Sequence, residues 1–154
     1  MRINPISNNY FSKQVNFKNT NKQDERQANM TRAIYKHRDS LIKSIEADTT
    51  DRIYRTSRGD EKPLIRRYDI PDTKNQAIIA VCKTPDSLCR HTLIAGAYSK
   101  RADELCSKTV LQNVYKRNIT DFFKTPDGIK QVASAIIKCS DEIDKDFAQK
   151  QQKS

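Results

Sequence analysis

From Ile129 to Phe147, apolar residues recur every three or four positions: Ile129, Val132, Ala133, Ile136, Ile137, Ile143 and Phe147, with Ser140 on the same stripe. That spacing places them on one face of an α-helix and predicts a long amphipathic helix that must bury the face against something else. A second such stripe lies near the other end of the chain: Met30, Ala33, Ile34, His37, Leu41, Ile42 and Ile45. Arg32, Lys36, Asp39, Lys43 and Glu46 occupy its opposite face, which predicts a helix from about Asp24 to Ala47. His37 reads as a core or boundary histidine, because Asp39 two residues on points elsewhere.

Between the stripes the period changes. Arg52–Ser57 and Leu64–Ile70 alternate, and turn residues follow each: Arg58-Gly59-Asp60, then Pro71 to Asn75. Ala77 to Cys82 is apolar on both faces, as a covered strand would be. A short buried helix remains the alternative there, since so short a run does not fix its own period. These three segments predict a three-stranded antiparallel meander. From Leu88 onwards, Thr92, Ala95, Tyr98, Ala102, Leu105, Cys106 and Val110 fit a helical spacing, interrupted by Gly96. Val110, Leu111, Val114 and Tyr115 continue it, with Ile119, Phe122 and Phe123 at a helix end. The expected fold is therefore α+β: an N-terminal helix, the meander, then two to three C-terminal helices covering one sheet face.

The tetrapeptide Lys-Thr-Pro-Asp occurs twice, at 83–86 and 124–127. Each copy precedes a stretch read as helical. Thr84 and Thr125 suit the N-cap, Pro85 and Pro126 the first helical position, and Asp86 and Asp127 the positive end of the helix dipole. Two matches with unlike flanks do not make a repeat architecture, so both copies are expected to be helix caps.

The chain has 154 residues and a formal net charge of +10, with 36% apolar and 31% charged residues. Such a length suits one domain. The expected division is a flexible, asparagine-rich basic arm at 1–23, a single domain at 24–150 and a frayed tail at 151–154. The arm carries four bases and no acid. It lacks the apolar core of a Sec signal peptide, and in its Ser/Asn richness it resembles the leader of type III secreted effectors. That resemblance implies secretion by a non-Sec route as the alternative to a cytoplasmic protein. No run approaches the ~18 apolar residues that a membrane span needs.

Catalytic signatures are scarce. The three glycines exclude a glycine-rich phosphate cradle, and no P-loop, dinucleotide, zinc-protease or calcium-loop pattern occurs. Cys82, Cys89, Cys106 and Cys139 have neither CxxC spacing nor the density of a disulfide framework. Reduced, mostly buried thiols are expected, with no metal and no cofactor. A zinc site would need Cys82, Cys89, His91 and Cys106 to converge without the usual ligand loops. Cys89 and His91 are the weak candidates for a cysteine-dependent enzyme, weakened because positions two apart on a helix diverge.

The meander carries the more suggestive pattern. If Ile53 and Ile65 face the helices, Arg52, Tyr54, Arg66 and Tyr68 share the open face. Arginines interleaved with tyrosines on a sheet form a surface on which bases stack and phosphates pair. The expectation is a small non-catalytic binding protein whose partner is anionic, either nucleic acid or an acidic protein face.

Overall fold

The computed structural model of the chain describes residues 17–47, 63–84 and 89–153. Helix α1 (Phe17–Ala47) leads into strands β1 (Leu64–Asp69), β2 (Gln76–Lys83), β3 (Arg90–Ser99) and β4 (Glu104–Tyr115). Helices α2 (Lys116–Lys124) and α3 (Pro126–Lys153) follow. The class is α+β as expected, but the sheet has four strands in the order β1-β2-β3-β4, all neighbours antiparallel.

The helical stripes behave as their spacing requires. Met30, Ile34, Leu41, Ile42 and Ile45 of α1 are buried with Ile129, Val132, Ala133, Ile136, Ile137 and Ile143 of α3 in one core cluster. Ile119 and Phe123 of α2 join them. α1 starts at Phe17, so the expected arm boundary at residue 23 falls inside a helix. At the other end, α3 runs through Lys153, past the expected start of fraying at 151.

The β2 segment is a strand, which resolves the strand-or-helix ambiguity of Ala77–Cys82. The expected strand Arg52–Ser57 and the Arg58-Gly59-Asp60 turn lie outside the described residues. The expected helix between Leu88 and Tyr115 is instead a long hairpin, β3–β4. His91, Leu93, Ala95, Ala97 and Ser99 are all buried and alternate along β3 with Thr92, Ile94, Gly96 and Tyr98. Apolar residues occupy both faces of β3, and that conceals a period of two behind an apparent period of three to four.

Tight turns set the strand register. Between β1 and β2 the Thr73 N–H donates to the Ile70 carbonyl (3.2 Å), with Pro71 and Asp72 at the corner. Asp72 takes φ 63°, the position that a type II turn places after its proline. Asn75 is buried, and its Nδ2 donates to Ser140 Oγ (2.8 Å) and Asp144 Oδ1 (3.1 Å) of α3. The turn is thus fastened to the helix behind the sheet. Two one-residue shifts interrupt the β3–β4 register, beside His91/Leu93 and Leu93/Ile94. Asn113, φ 58°, sits opposite the first of them, where a bulge needs a left-handed residue.

Among the described residues, one of the two Lys-Thr-Pro-Asp copies is seen to cap a helix. Thr125 precedes α3, and its Oγ1 accepts the Gly128 N–H at 3.0 Å, with Pro126 first in the helix and Asp127 in the first turn. Thr84 instead extends the β2–β3 ladder: its N–H donates to the Arg90 carbonyl at 2.8 Å. The same residue types serve turns as well as caps, so the local vocabulary did not distinguish them. Pro85 and Asp86 lie outside the described residues.

Candidate interaction surface

Directly paired residues of antiparallel strands project to the same side, so register and burial together assign every side chain to a face. Leu64, Arg66 and Tyr68 pair with Val81, Ile79 and Ala77, which belong to the core cluster under the helices. Arg66 and Tyr68 therefore lie on the helix side, not on the open side as expected. The cause is a reversed choice of inward residue in β1: Leu64 is buried, while Ile65 is 42% exposed. Arg66 donates to Ser44 Oγ of α1 at 3.1 Å, and Tyr68 stacks on His37 of α1. Burial pushes the Tyr68 phenol above its ordinary pKa, against the opposing pull of the Arg66 charge. Arg52 and Tyr54 lie outside the described residues.

A different set of arginines and tyrosines projects from the open face. Arg67 stands on β1 opposite Ile78, Tyr98 on β3 opposite Gln76 and Leu105, and Arg90 opposite Tyr115. The Arg67 guanidinium lies 5.9 Å from the centre of the Tyr98 ring. Arg67 stands in the row of Ile78 and Gly96, and Tyr98 in the next, so the contact spans β2 diagonally. Ile78 is buried although it is outside the core cluster beneath the sheet. At the opposite end the Arg90 guanidinium lies 4.6 Å over the Tyr115 ring and donates to the Asn113 carbonyl at 3.2 Å. Both distances fall within cation–π range, the Arg67 pair near its outer limit. Between the two pairs run Ile65, Ala80 and Ile94, with Ile78 beside Arg67 and Leu105, 61% exposed, beside Tyr98 at the end of the sheet.

The charges on this side are mixed. Asp69 shares the open face of β1 with Arg67, and Tyr98 Oη donates to Asp103 Oδ1 at 3.3 Å. The face therefore offers two cationic-aromatic corners around an apolar centre rather than a continuous basic field.

Cys89 is exposed ahead of β3, whereas His91 is 7% exposed on the helix side, opposite Lys83 and Val114. The two residues belong to a strand start rather than a helix, so the helical-face argument does not apply; they differ in burial. Among the described residues no group of three His, Cys, Asp or Glu side chains is placed to hold a metal ion. No described helix is long and apolar enough to cross a membrane.

Sequence reasoning missed Arg67, Tyr98, Arg90 and Tyr115. The available signal was the alternation of β3, in which Arg90, Ile94 and Tyr98 share one parity and His91, Leu93 and Ala95 the other. No protein-family model, curated protein or solved structure matches this chain.

Proposed function

We propose that the protein is a non-catalytic binding protein that holds an anionic partner on the open sheet face, with single-stranded nucleic acid as the leading candidate. The observation that carries this reading is the pair of arginine–tyrosine contacts, Arg67 with Tyr98 and Arg90 with Tyr115, on one face of the sheet. Tyrosine faces stack bases whatever their sequence, and guanidinium groups pair phosphates bidentately. The net charge of +10 favours approach of a polyanion. A cytoplasmic location goes with this reading. Export addressed by residues 1–23 is the alternative, tested by fusing that segment to a reporter.

The experiment is fluorescence anisotropy with a labelled single-stranded oligonucleotide across a salt series. Each phosphate neutralised should contribute a log–log slope of about −0.7. Tyr98→Ala and Tyr115→Ala should each weaken binding by roughly 1–3 kcal/mol where a base stacks on the ring. Arg67→Ala should reduce the slope by about one contact. No binding at low salt sinks the nucleic-acid reading. The exposed Ile65 and Leu105 then favour the second reading, an acidic protein face that also presents apolar residues.

A further inference from the structure

Cys106 and Cys139 are 33 positions apart in the chain, and the packing of β4 on α3 brings them together. Cys106 is half-buried on the helix side of β4, opposite Ala97, and packs against the core cluster to which Cys139 belongs. Its Sγ donates to Glu142 Oε2 at 3.1 Å. Glu142 stands three residues beyond Cys139, hence on the same face of α3. The bond to Glu142 sets Cys106 beside the turn of α3 that carries Cys139, close enough for the two thiols to influence each other. Cys139 is completely buried, so Cys106 is the sulfur that a reagent reaches first. The charged groups at the pair are Glu142 from α3 and Lys108 from β4, whose Nζ lies 3.4 Å from Glu142 Oε1.

We propose that Cys106 and Cys139 form a modification site: exposed to a low-molecular-weight disulfide, they close an intramolecular disulfide that ties β4 to α3. The Cys106 thiol loses its proton to solvent, and the thiolate attacks one sulfur of the reagent. The reagent's own S–S bond breaks, a mixed disulfide forms on Cys106, and one small thiol leaves. Cys139, deprotonated in turn, attacks the Cys106 sulfur and expels the second small thiol. Two protein thiols and one reagent disulfide become one protein disulfide and two small thiols.

Burial, then the neighbouring Cys139 and Glu142, push the Cys106 thiol up to about 12. Thiolate is therefore scarce at neutral pH and the first step is slow. The pair stays a dithiol in a reducing compartment and closes in a sustained oxidising one.

The test uses the full chain carrying Cys82→Ser and Cys89→Ser, incubated natively with oxidised glutathione and read by intact mass and non-reducing peptide mapping. The expected product has lost two hydrogens, retains no glutathione, and yields one peptide joining residues 106 and 139. Adding Cys139→Ser should arrest the reaction at a single glutathione on Cys106. Adding Cys106→Ser instead should leave Cys139 unmodified until denaturant is present. Glutathione that persists on Cys106 while Cys139 is intact overturns the proposal. So does a crosslink between chains, or a native protein that never reacts although the denatured one does.

Discussion

The Tyr68 ring on β1 lies face to face with His37 on α1, with 4.4 Å between centroids and 21° between planes. The contact joins the first strand to the first helix; His37, expected at the core or its boundary, is exposed, and Tyr68 was expected on the open face. It makes Tyr68 a packing residue. Tyr68→Ala should destabilise the fold by roughly 1–3 kcal/mol and leave oligonucleotide affinity unchanged. Tyr98→Ala should do the reverse. Urea unfolding and anisotropy on the two variants, measured together, separate the faces of the sheet.

The same burial predicts an alkaline effect. The Tyr68 phenol is raised above its ordinary value of 10.0. Below that value the phenol is neutral in both states and carries no penalty. As pH rises above it, the unfolded chain loses the proton first, so unfolding becomes more favourable until the folded phenol also ionises. Tyr68→Phe should remove that part of the alkaline loss. Urea midpoints on either side of pH 10 would show the two proteins diverging if the assignment holds, and running parallel if it does not.

The Thr125 cap and the Thr84 ladder position give opposite expectations for one substitution. Thr125→Ala removes the acceptor of the Gly128 N–H and should cost about 0.5–2 kcal/mol. Thr84→Ala keeps the backbone bond to Arg90 and loses only a side-chain contact to Thr92 Oγ1 at 3.4 Å, so its cost should be smaller. Equal losses in thermal denaturation would contradict the assignment of the two copies to different roles.

Glu142 accepts from Cys106 and from Lys108, and these bonds hold its carboxyl below the ordinary 4.5. A depressed carboxylate contributes stability above its unfolded pKa and loses it as pH falls through the folded value. Glu142→Gln should therefore flatten the acid limb of the stability profile below about pH 4.5. It should also speed alkylation of Cys106, because one of the groups that raise the thiol's pKa loses its charge. Unchanged alkylation kinetics would show that Glu142 does not restrain the thiol.

Both long helices were legible because each buries a single stripe, and a stripe has only one way to repeat. β1 was legible as a strand but not as to its face, since LIRRYD offers Leu64 or Ile65 as the inward residue and Arg66 and Arg67 put a cation on either face. β3 and β4 were not legible as strands. In β3 the inward set includes His91, Ser99 and two alanines beside Leu93, while the outward set includes Ile94 and Tyr98, so hydrophobicity does not alternate with the strand's two faces. The candidate surface depends on which residues meet across three strands, as Arg67 and Tyr98 do. Local spacing carries no record of such a meeting.

Gly96 provides the sharpest test of the β3–β4 hairpin. It pairs with Ser107, and a Cβ built on it would lie 2.0 Å from the Cys106 carbonyl oxygen and 2.6 Å from the Ser107 Cα. Both neighbours are backbone atoms, so no side-chain rotation relieves the overlap. β4 would have to move away, breaking ladder bonds on both sides. Gly96→Ala should therefore destabilise the protein by roughly 3 kcal/mol or more, a loss confined to few mechanisms. Hydrogen exchange should show protection falling in β4 more than in β1. The helical reading of this segment makes the opposite prediction, since alanine in a helix interior is favoured over glycine by about 1 kcal/mol. A Gly96→Ala protein that melts higher than the parent would refute the hairpin, and with it the open face that carries Tyr98, Leu105 and Tyr115.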